Sequence, residues 1–346
     1  MLNNYVNNFV IRKLFIFFYT YEFMVSINDM KKYLLDEKLN ADKIINNFNE
    51  YGINEVEQIL LLGIENIRLI QRCSKETAEK IIECAKITYG LNYPEPVPSN
   101  LIKLEEEFVE TPLEKLNKVL GGGFRVGSLI ELFGSFASGK TQFLFTQAVL
   151  EASKGNYVFF IDTEKTFSVD RLREIVINRF GEENVDKILE KILLSTTISH
   201  AEFEYTIFLL VRTLPKLMKE GKKVRLICID SLVNPYRAEY GSYGLSKLAE
   251  RQQNLNWALR QLLRVASVYK LVVLFTNQVI ADPTSIQSFI PTGGNVVAHA
   301  STIRIMLIKA GKNERILRIY DAPNIPQIEI DFKISEKGIE DKEKKD

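Results

Sequence analysis

Three cysteines in 346 residues, Cys73, Cys84 and Cys228, are too few and too scattered for a disulfide framework. No two of them form a CxxC pair, so a structural zinc site is not expected and a reducing compartment fits. Their expected role is that of small buried hydrophobes. A surplus of charge of one sign is missing too. Lys and Arg number 45 against 44 Asp and Glu, so the chain as a whole carries no basic field that would draw in nucleic acid, and only local basic loops remain for that purpose. Long hydrophobic runs are also absent. The apolar run at residues 14–21 is too short to span a bilayer, and no small-residue cleavage site follows it as a signal peptide would require. Residues 1–25 are therefore expected to be a leader outside the folded part, with Met24 or Met30 as an alternative start, and no membrane association is expected.

What is present is ordinary globular composition, 46% hydrophobic and 26% charged, in a chain long enough at ~150 residues per domain for one large domain and a smaller one. Residues 26–90 read as short helices. Ser74 is placed as an N-cap, Ala78, Ile81, Ile82 and Ala85 follow at helical spacing, and Gly90 is expected to close that helix. Residues 91–105 begin LNYPEPVPSN, a proline-rich linker. From 106 to 339 short apolar runs alternate with amphipathic stretches. The runs at 129–133, 157–161, 224–229 and 271–276 suit strands buried on both faces of a parallel sheet, which predicts an α/β domain flanked by helices. The runs at 303–308, 316–320 and 328–332 lie close together and predict a hairpin or meander at the sheet edge. Residues 340–346 form a charged tail, expected to be disordered.

The segment Gly134, Ser135, Phe136, Ala137, Ser138, Gly139, Lys140, Thr141 matches G-x-x-x-x-G-K-[ST], for which a chance occurrence in a chain this long is on the order of one per cent. A buried strand precedes it and a helical stretch follows. Inward-turned backbone N–H groups and a helix N-terminus would surround phosphate oxygens. Lys140 would reach the β- and γ-phosphates of ATP, and Thr141 would ligand Mg²⁺. Asp230 ends a neighbouring apolar strand, where the second protein contact to Mg²⁺ belongs. Asp162 and Glu164 follow the strand at 157–161, and either carboxylate would sit where an attacking water needs orienting. Asn277 and Gln278 end the strand at 271–276, placing an amide where it would sense the γ-phosphate, and a Ser/Thr/Pro-rich loop at 279–292 follows. His299 lies just past Gly293 and Gly294, and spacing alone favours a structural histidine over a functional one.

Residues 101–339 resemble the RecA-type recombinases, specifically the archaeal RadA and eukaryotic strand-exchange branch. The resemblance is carried by GSFASGKTQ at 134–142, FFIDTEKTF at 159–167, LICIDS at 226–231 and YRAEY at 236–240, then by ERQQ at 250–253, TNQV at 276–279, GGNVVAHAS at 293–301 and IYDAPNIPQ at 319–327. It implies a RecA-like P-loop ATPase core that pairs and exchanges DNA strands as a filament. It selects Glu164 as the water-activating acid and makes Gln278 the γ-phosphate sensor, with His299 near it. Gln142 and Arg171 help hold the nucleotide, and Asp321 and Pro323 cap the ATP of a neighbouring subunit. Residues 240–253 and 279–292 become DNA-contacting loops, with Lys247, Arg251, Gly293 and Gly294 as contacts. Single- and double-stranded DNA, further copies of the chain in a helical filament or ring, and recombination mediator proteins are the implied partners. Location would be cytoplasmic in an archaeon and nuclear in a eukaryote.

Departures from the family pattern are specific. Ala137 and Lys165 stand where the family often has glycine. The first DNA loop lacks Gly-Arg-Gly, leaving Lys247 to supply charge, and the second carries Asp282 where a cation is common. The helical unit at 26–90 resembles the family's helix-hairpin-helix module, but residues 36–41 read DEKLNA where a glycine hairpin would expose N–H groups to phosphate. No F-x-x-A polymerisation peptide is evident in the linker, where Tyr93-Pro-Glu-Pro96 stands instead. Two other functions fit parts of this pattern: an ATP-binding accessory protein that exchanges no strands, and a ring helicase of the same fold.

Overall fold

The computed structural model describes residues 25–89, 106–240, 247–281 and 289–342. The leader to residue 24, Gly90 and the whole linker at 91–105 lie outside the described residues. The chain divides after Glu106 into two units.

In the first unit a 3₁₀ turn, Ile27–Met30, leads to four helices: α1 (Lys31–Asp36), α2 (Ala41–Glu50), α3 (Val56–Gln71) and α4 (Lys75–Tyr89). Side-chain caps set their starts. Asn40 Oδ1 accepts the Lys43 N–H at 3.1 Å, Glu55 and Gln58 form a capping box, and Ser74 Oγ accepts the Thr77 N–H at 3.2 Å. Ile27, Met30, Leu34, Phe48, Ile59, Ile67 and Ile81 fill the core. Between α1 and α2, within the DEKLNA stretch, Lys38 takes a left-handed φ of 58°. The turn between α3 and α4 places Arg72 at φ 49°, so a second position that favours glycine also carries a cation.

The second unit begins with β1 (Phe108–Val109), α5 (Glu114–Val119) and β2 (Phe124–Arg125), and β1 pairs with β2. The main elements follow: β3 (Leu129–Gly134), α6 (Lys140–Ser153), β4 (Tyr157–Asp162), α7 (Val169–Phe180), α8 (Val185–Leu189), β5 (Ile192–Thr196), α9 (His200–Lys219) and β6 (Val224–Asp230). Then come α10 (Asn234–Tyr240), α11 (Leu248–Val268), β7 (Val272–Ala281), β8 (Phe289–Pro291), α12 (Gly294–Ala300), β9 (Ile303–Lys309), β10 (Glu314–Asp321), β11 (Glu329–Ser335) and β12 (Gly338–Asp341).

The sheet runs in the order β12-β11-β10-β9-β3-β7-β6-β4-β5, with β8 added to β7. From β9 to β5 every pairing is parallel, and β9 to β12 form an antiparallel meander at one edge. Uniform burial of β3 and β6 explains their near-continuous apolar sequence, since helices such as α6 leave no water-facing side for polar alternation. The register aligns Gly134 with Gln278 and Asp162 with Asp230, so the carboxyl ends of β3, β7, β6 and β4 stand on one edge. In doubly wound sheets that edge is where ligands bind.

Three expectations need correction. The charged tail does not start at 340, because β12 carries paired backbone to Asp341, with Phe332 opposite that residue. The loop expected at 279–292 opens and closes as paired strand, with Val279 opposite Pro291 and Ala281 opposite Phe289, while 282–288 lie outside the described residues. Of the loop expected at 240–253, residues 248–253 are the first turns of α11, with Lys247 at its N-cap position, and 241–246 are outside the described residues. Edge strand β5 escaped the sequence reading. Its ILLST core is short, half-exposed and carries no clean alternation.

Gly338 turns the chain between β11 and β12 at φ 83°, and a Cβ there would meet Thr146 Oγ1 at 2.3 Å. The same hydroxyl accepts the Ile339 N–H at 3.0 Å, tying the edge meander to α6. Gly338→Ala should therefore lower stability by about 1–3 kcal/mol, read by chemical denaturation, through strained backbone and overpacking together. An unchanged denaturation midpoint would show that the turn relaxes freely.

Candidate functional site

A cavity of about 600 Å³ opens at the carboxyl edge of the sheet. All nine residues from Gly134 to Gln142 line it, joined by Glu164, Thr166, Asp230, Ser231, Thr276, Gln278 and Val279, and by Lys312, Asn313, Arg315 and Ile334. The loop after β3 has to pass close to its neighbours. A Cβ on Gly134 would meet Leu307 O at 2.3 Å and Ser138 Oγ at 2.8 Å, so only glycine fits there. The loop delivers the chain into α6, whose first residue is Lys140. Lys140 Nζ donates to Gly134 O at 2.9 Å and Ser135 O at 3.0 Å, which folds it over the loop. Burial lowers its pKa, while Asp230 and Glu164 pull it back up. A desolvated ammonium above a cradle of backbone amides is a site for an anion.

Across the cavity, Asp230 at the end of β6 is 2% exposed and wrapped by hydroxyls. Thr141 Oγ1 donates to its Oδ2 at 2.6 Å, Thr276 Oγ1 to its Oδ1 at 2.5 Å, and Thr166 Oγ1 reaches Oδ2 at 3.5 Å. Burial raises the carboxyl's pKa above the ordinary value. The Thr141 and Thr276 hydroxyls oppose that, and the charges of Glu164 and Asp162 add to it. A hard oxygen pair, Thr141 and Asp230, beside a phosphate cradle is the donor set that Mg²⁺ takes when phosphates complete its shell. The buried, cavity-lining Ser231 hydroxyl, which has no protein partner, leaves one more oxygen free at the same point.

Geometry separates the two acids that spacing left equivalent. Asp162 accepts the N–H groups of Glu164 at 3.0 Å and Thr166 at 3.3 Å through Oδ1, and that of Phe167 at 3.0 Å through Oδ2. Both its oxygens serve to wind the turn. Glu164 instead faces the cavity and accepts Gln278 Nε2 at 2.8 Å. The wound turn also forces Lys165 to φ 57°, and the phosphate loop holds Ala137 at φ 59°. The two positions where the family often has glycine are thus both left-handed.

Other expected residues stand elsewhere. Arg171 does not line the cavity, because its donors are engaged: Nε with Gln142 Oε1 at 2.8 Å, Nη2 with Ser335 O at 2.5 Å, and Nη1 with Glu174 and Glu336 O. It acts one step back, holding the cavity-lining Gln142. His299 is exposed on α12 and does not line the cavity with Gln278, because the chain has already turned out through Thr292 and Gly293. Asp321 and Pro323 are exposed at the end of β10, outside this cavity. Lys247 stands at the N-cap position of α11 without a side-chain cap, its ammonium 3.6 Å from Glu250, Arg251 is half-buried on the same helix, and Gly293 and Gly294 start α12. Sequence reasoning missed Lys312, Asn313, Arg315 and Ile334. They come from the edge meander, and nothing in their spacing to the phosphate loop announces them.

A parallel sheet with a phosphate loop after β3, a hydroxyl-wrapped aspartate after β6 and an amide–carboxylate pair between β7 and β4 defines a RecA-like P-loop ATPase fold. The Rad51 family model matches residues 105–342. The chain is 36% identical over 326 residues to the meiotic recombination protein DLH1 of Candida albicans, covering 89% of this chain and 96% of that protein. It is 33% identical over 319 residues to a DMC1 homologue of Lilium longiflorum, covering 89% and 88%, and 33% identical over 306 residues to the DNA repair and recombination protein RadA of Cenarchaeum symbiosum, covering 84% and 75%. The chain belongs to the Rad51 family of recombinases. Among the described residues no helix is long and apolar enough to cross a membrane.

Two substitutions test the site. Asp230 is a carboxyl whose pKa is raised by folding, so its ionised form weakens the fold above the ordinary carboxylate range, and removing the charge relieves that. Asp230→Asn should raise the thermal midpoint of the nucleotide-free protein while abolishing the extra stabilisation that Mg²⁺ and ATP give the wild type. A lowered midpoint would mean the carboxylate is held more favourably than its burial indicates. Ala137→Gly removes a left-handed alanine costing roughly 1–2 kcal/mol, partly offset by glycine's greater unfolded entropy. A rise of up to about 2–4 °C is expected for a domain of this size. A fall would show that the loop does not hold this conformation in solution.

Proposed function

We propose that this chain is an ATP-dependent DNA recombinase that assembles on single-stranded DNA, pairs it with a homologous duplex and exchanges strands. The observation that carries the reading is the Gln278–Glu164 hydrogen bond of 2.8 Å. It joins a cavity-facing acid to the strand that continues into the β7–β8 pair. In this reading ATP lies in the cradle at 134–142, with Lys140 on its terminal phosphates. Mg²⁺, held by Thr141 and Asp230, would supply charge neutralisation for the departing phosphates. Glu164 orients the attacking water and accepts its proton. Gln278 exchanges its bond to Glu164 for one to the γ-phosphate and carries that change into the β7–β8 segment, a switch of the kind phosphate-sensing loops use. Lys247, Arg251 and the segment before Gly293 are the DNA-facing side, and Asp321 and Pro323 meet the ATP of the next copy in a filament.

The second reading, an ATP-binding accessory protein without strand exchange, is favoured by the ion pair that partly neutralises Lys247. A strand-exchange assay with single-stranded DNA, homologous labelled duplex, ATP and Mg²⁺ decides between them. The wild type should give homology-dependent product, and Lys140→Ala should give none. Glu164→Gln should bind ATP normally but hydrolyse it about 10²–10⁴-fold more slowly. Absence of product from folded, ATP-binding wild type would establish the accessory reading instead.

A further inference from the structure

Glu131 is the single charged residue of β3 and is completely buried. A carboxylate that deep is costly unless it is paired and fully hydrogen-bonded. Burial raises its pKa, and Arg304 and Asn277 pull it down. Both oxygens have partners, one on each neighbouring strand. Oε2 accepts Arg304 Nε from β9 at 2.6 Å, and Oε1 accepts Asn277 Nδ2 from β7 at 2.7 Å. Register explains both contacts: Glu131 lies opposite Arg304 on one side and opposite Phe275 on the other, and Asn277 is two residues beyond Phe275 on the same face.

Each partner leads on to a different segment. Asn277 Oδ1 accepts the backbone N–H of Gln278 at 2.8 Å and the Thr292 hydroxyl at 2.5 Å, and its Nδ2 also donates to Thr292 O at 2.7 Å. Thr292 N–H in turn donates to Gln278 O at 2.9 Å. One amide therefore fixes both the cavity-facing Gln278 and the end of the β7–β8 pair. In the other direction, the Arg304 guanidinium sits 5.5 Å from the ring centroids of both Phe133 and Tyr320, which meet edge to face at 5.1 Å. Tyr320 precedes Asp321, which pairs in register with Arg304 itself.

We infer that the buried Glu131–Arg304 pair, acting with Asn277, is a positioning device that couples Gln278 at the nucleotide cavity to two segments at once: the adjoining β7–β8 pair and residues 320–323 at the end of β10. Nucleotide binding tightens both segments together because the same carboxylate anchors both arms. The inference rests on the nucleotide-binding part of the function proposed above and not on strand exchange. A purely structural pair predicts something different. Buried ion pairs are commonly replaceable by apolar side chains of similar volume without loss of stability, so a structural role leaves no signature once the fold is kept.

The test is hydrogen exchange by mass spectrometry on the full chain, with and without Mg²⁺ and a non-hydrolysable ATP analogue. It compares wild type with the double variant Glu131→Met/Arg304→Met. The double substitution removes both charges, so neither is left buried alone. Thermal unfolding and binding of a fluorescent ATP analogue check that the variant folds and takes nucleotide. In the wild type the analogue should slow exchange at the β7–β8 amides and at residues 320–322 by at least about fivefold, the lower end of ordinary coupling between sites. In the folded, nucleotide-binding variant the slowing should fall below about twofold in both segments, as expected when the coupling is lost. Should the double variant fail to fold, Glu131→Gln/Arg304→Gln, which keeps polar groups at both positions, replaces it. Protection equal to wild type in a folded, nucleotide-binding variant overturns the inference and leaves the proposed function standing. Wild type that binds the analogue without protecting either segment also overturns it. Wild type that binds no nucleotide overturns the functional reading and this inference together.

Discussion

In a parallel sheet every strand presents its carboxyl end on the same edge, and the register between strands decides which residues stand there together. Here that register sets Gly134 beside Gln278 and Asp162 beside Asp230. The cavity, the phosphate loop and the hydroxyls around Asp230 all depend on it. Packing keeps it in place, because β3 and β6 are buried along their whole lengths and a slipped strand would carry polar ends into the core.

The electrostatics of the edge follow from burial. Asp162 and Asp230 are both 2% exposed, and Glu164 faces the cavity as a third carboxylate, while Lys140, Lys312 and Arg315 are the cations that line it. Asp162 is compensated by three backbone N–H groups, whereas Asp230 has only hydroxyl donors. Compensation is therefore weakest at Asp230, beside the phosphate cradle, where burial raises the carboxyl's pKa.

Much of this was legible in the residues. The phosphate loop, the strand-end Asp230 and the parallel strands each follow from local pattern, since apolar runs and a glycine-lysine-threonine spacing are properties of contiguous sequence. Choosing Glu164 over Asp162 needed either family resemblance or the observed turn, because spacing does not reveal which carboxylate is committed to backbone N–H groups. Lys312, Asn313, Arg315 and Ile334 were not legible at all, since the meander that brings them to the cavity is a long-range pairing. The loop at 279–292 was read as loop because its Ser, Thr and Pro content hides the short pairing of Val279 with Pro291. The glycine-like positions Ala137 and Lys165 were recognised by comparison with a family pattern, and their backbone angles supply the physical reason that pattern exists.

Three successive residues of β7 serve three different acids. Thr276 holds Asp230, Asn277 holds Glu131, and Gln278 holds Glu164. Alternation along a strand sends Thr276 and Gln278 to the cavity side and Asn277 to the opposite side. Substitution of any one residue would disturb one of the three acids. Loss of a single residue upstream in the strand would set Asn277, Gln278 and Val279 where Thr276, Asn277 and Gln278 now stand, and gain of one would set Phe275, Thr276 and Asn277 there, so each acid would meet the wrong side chain. The length of β7 ahead of Thr276 is therefore a stricter constraint on this edge than the identity of any one side chain in it.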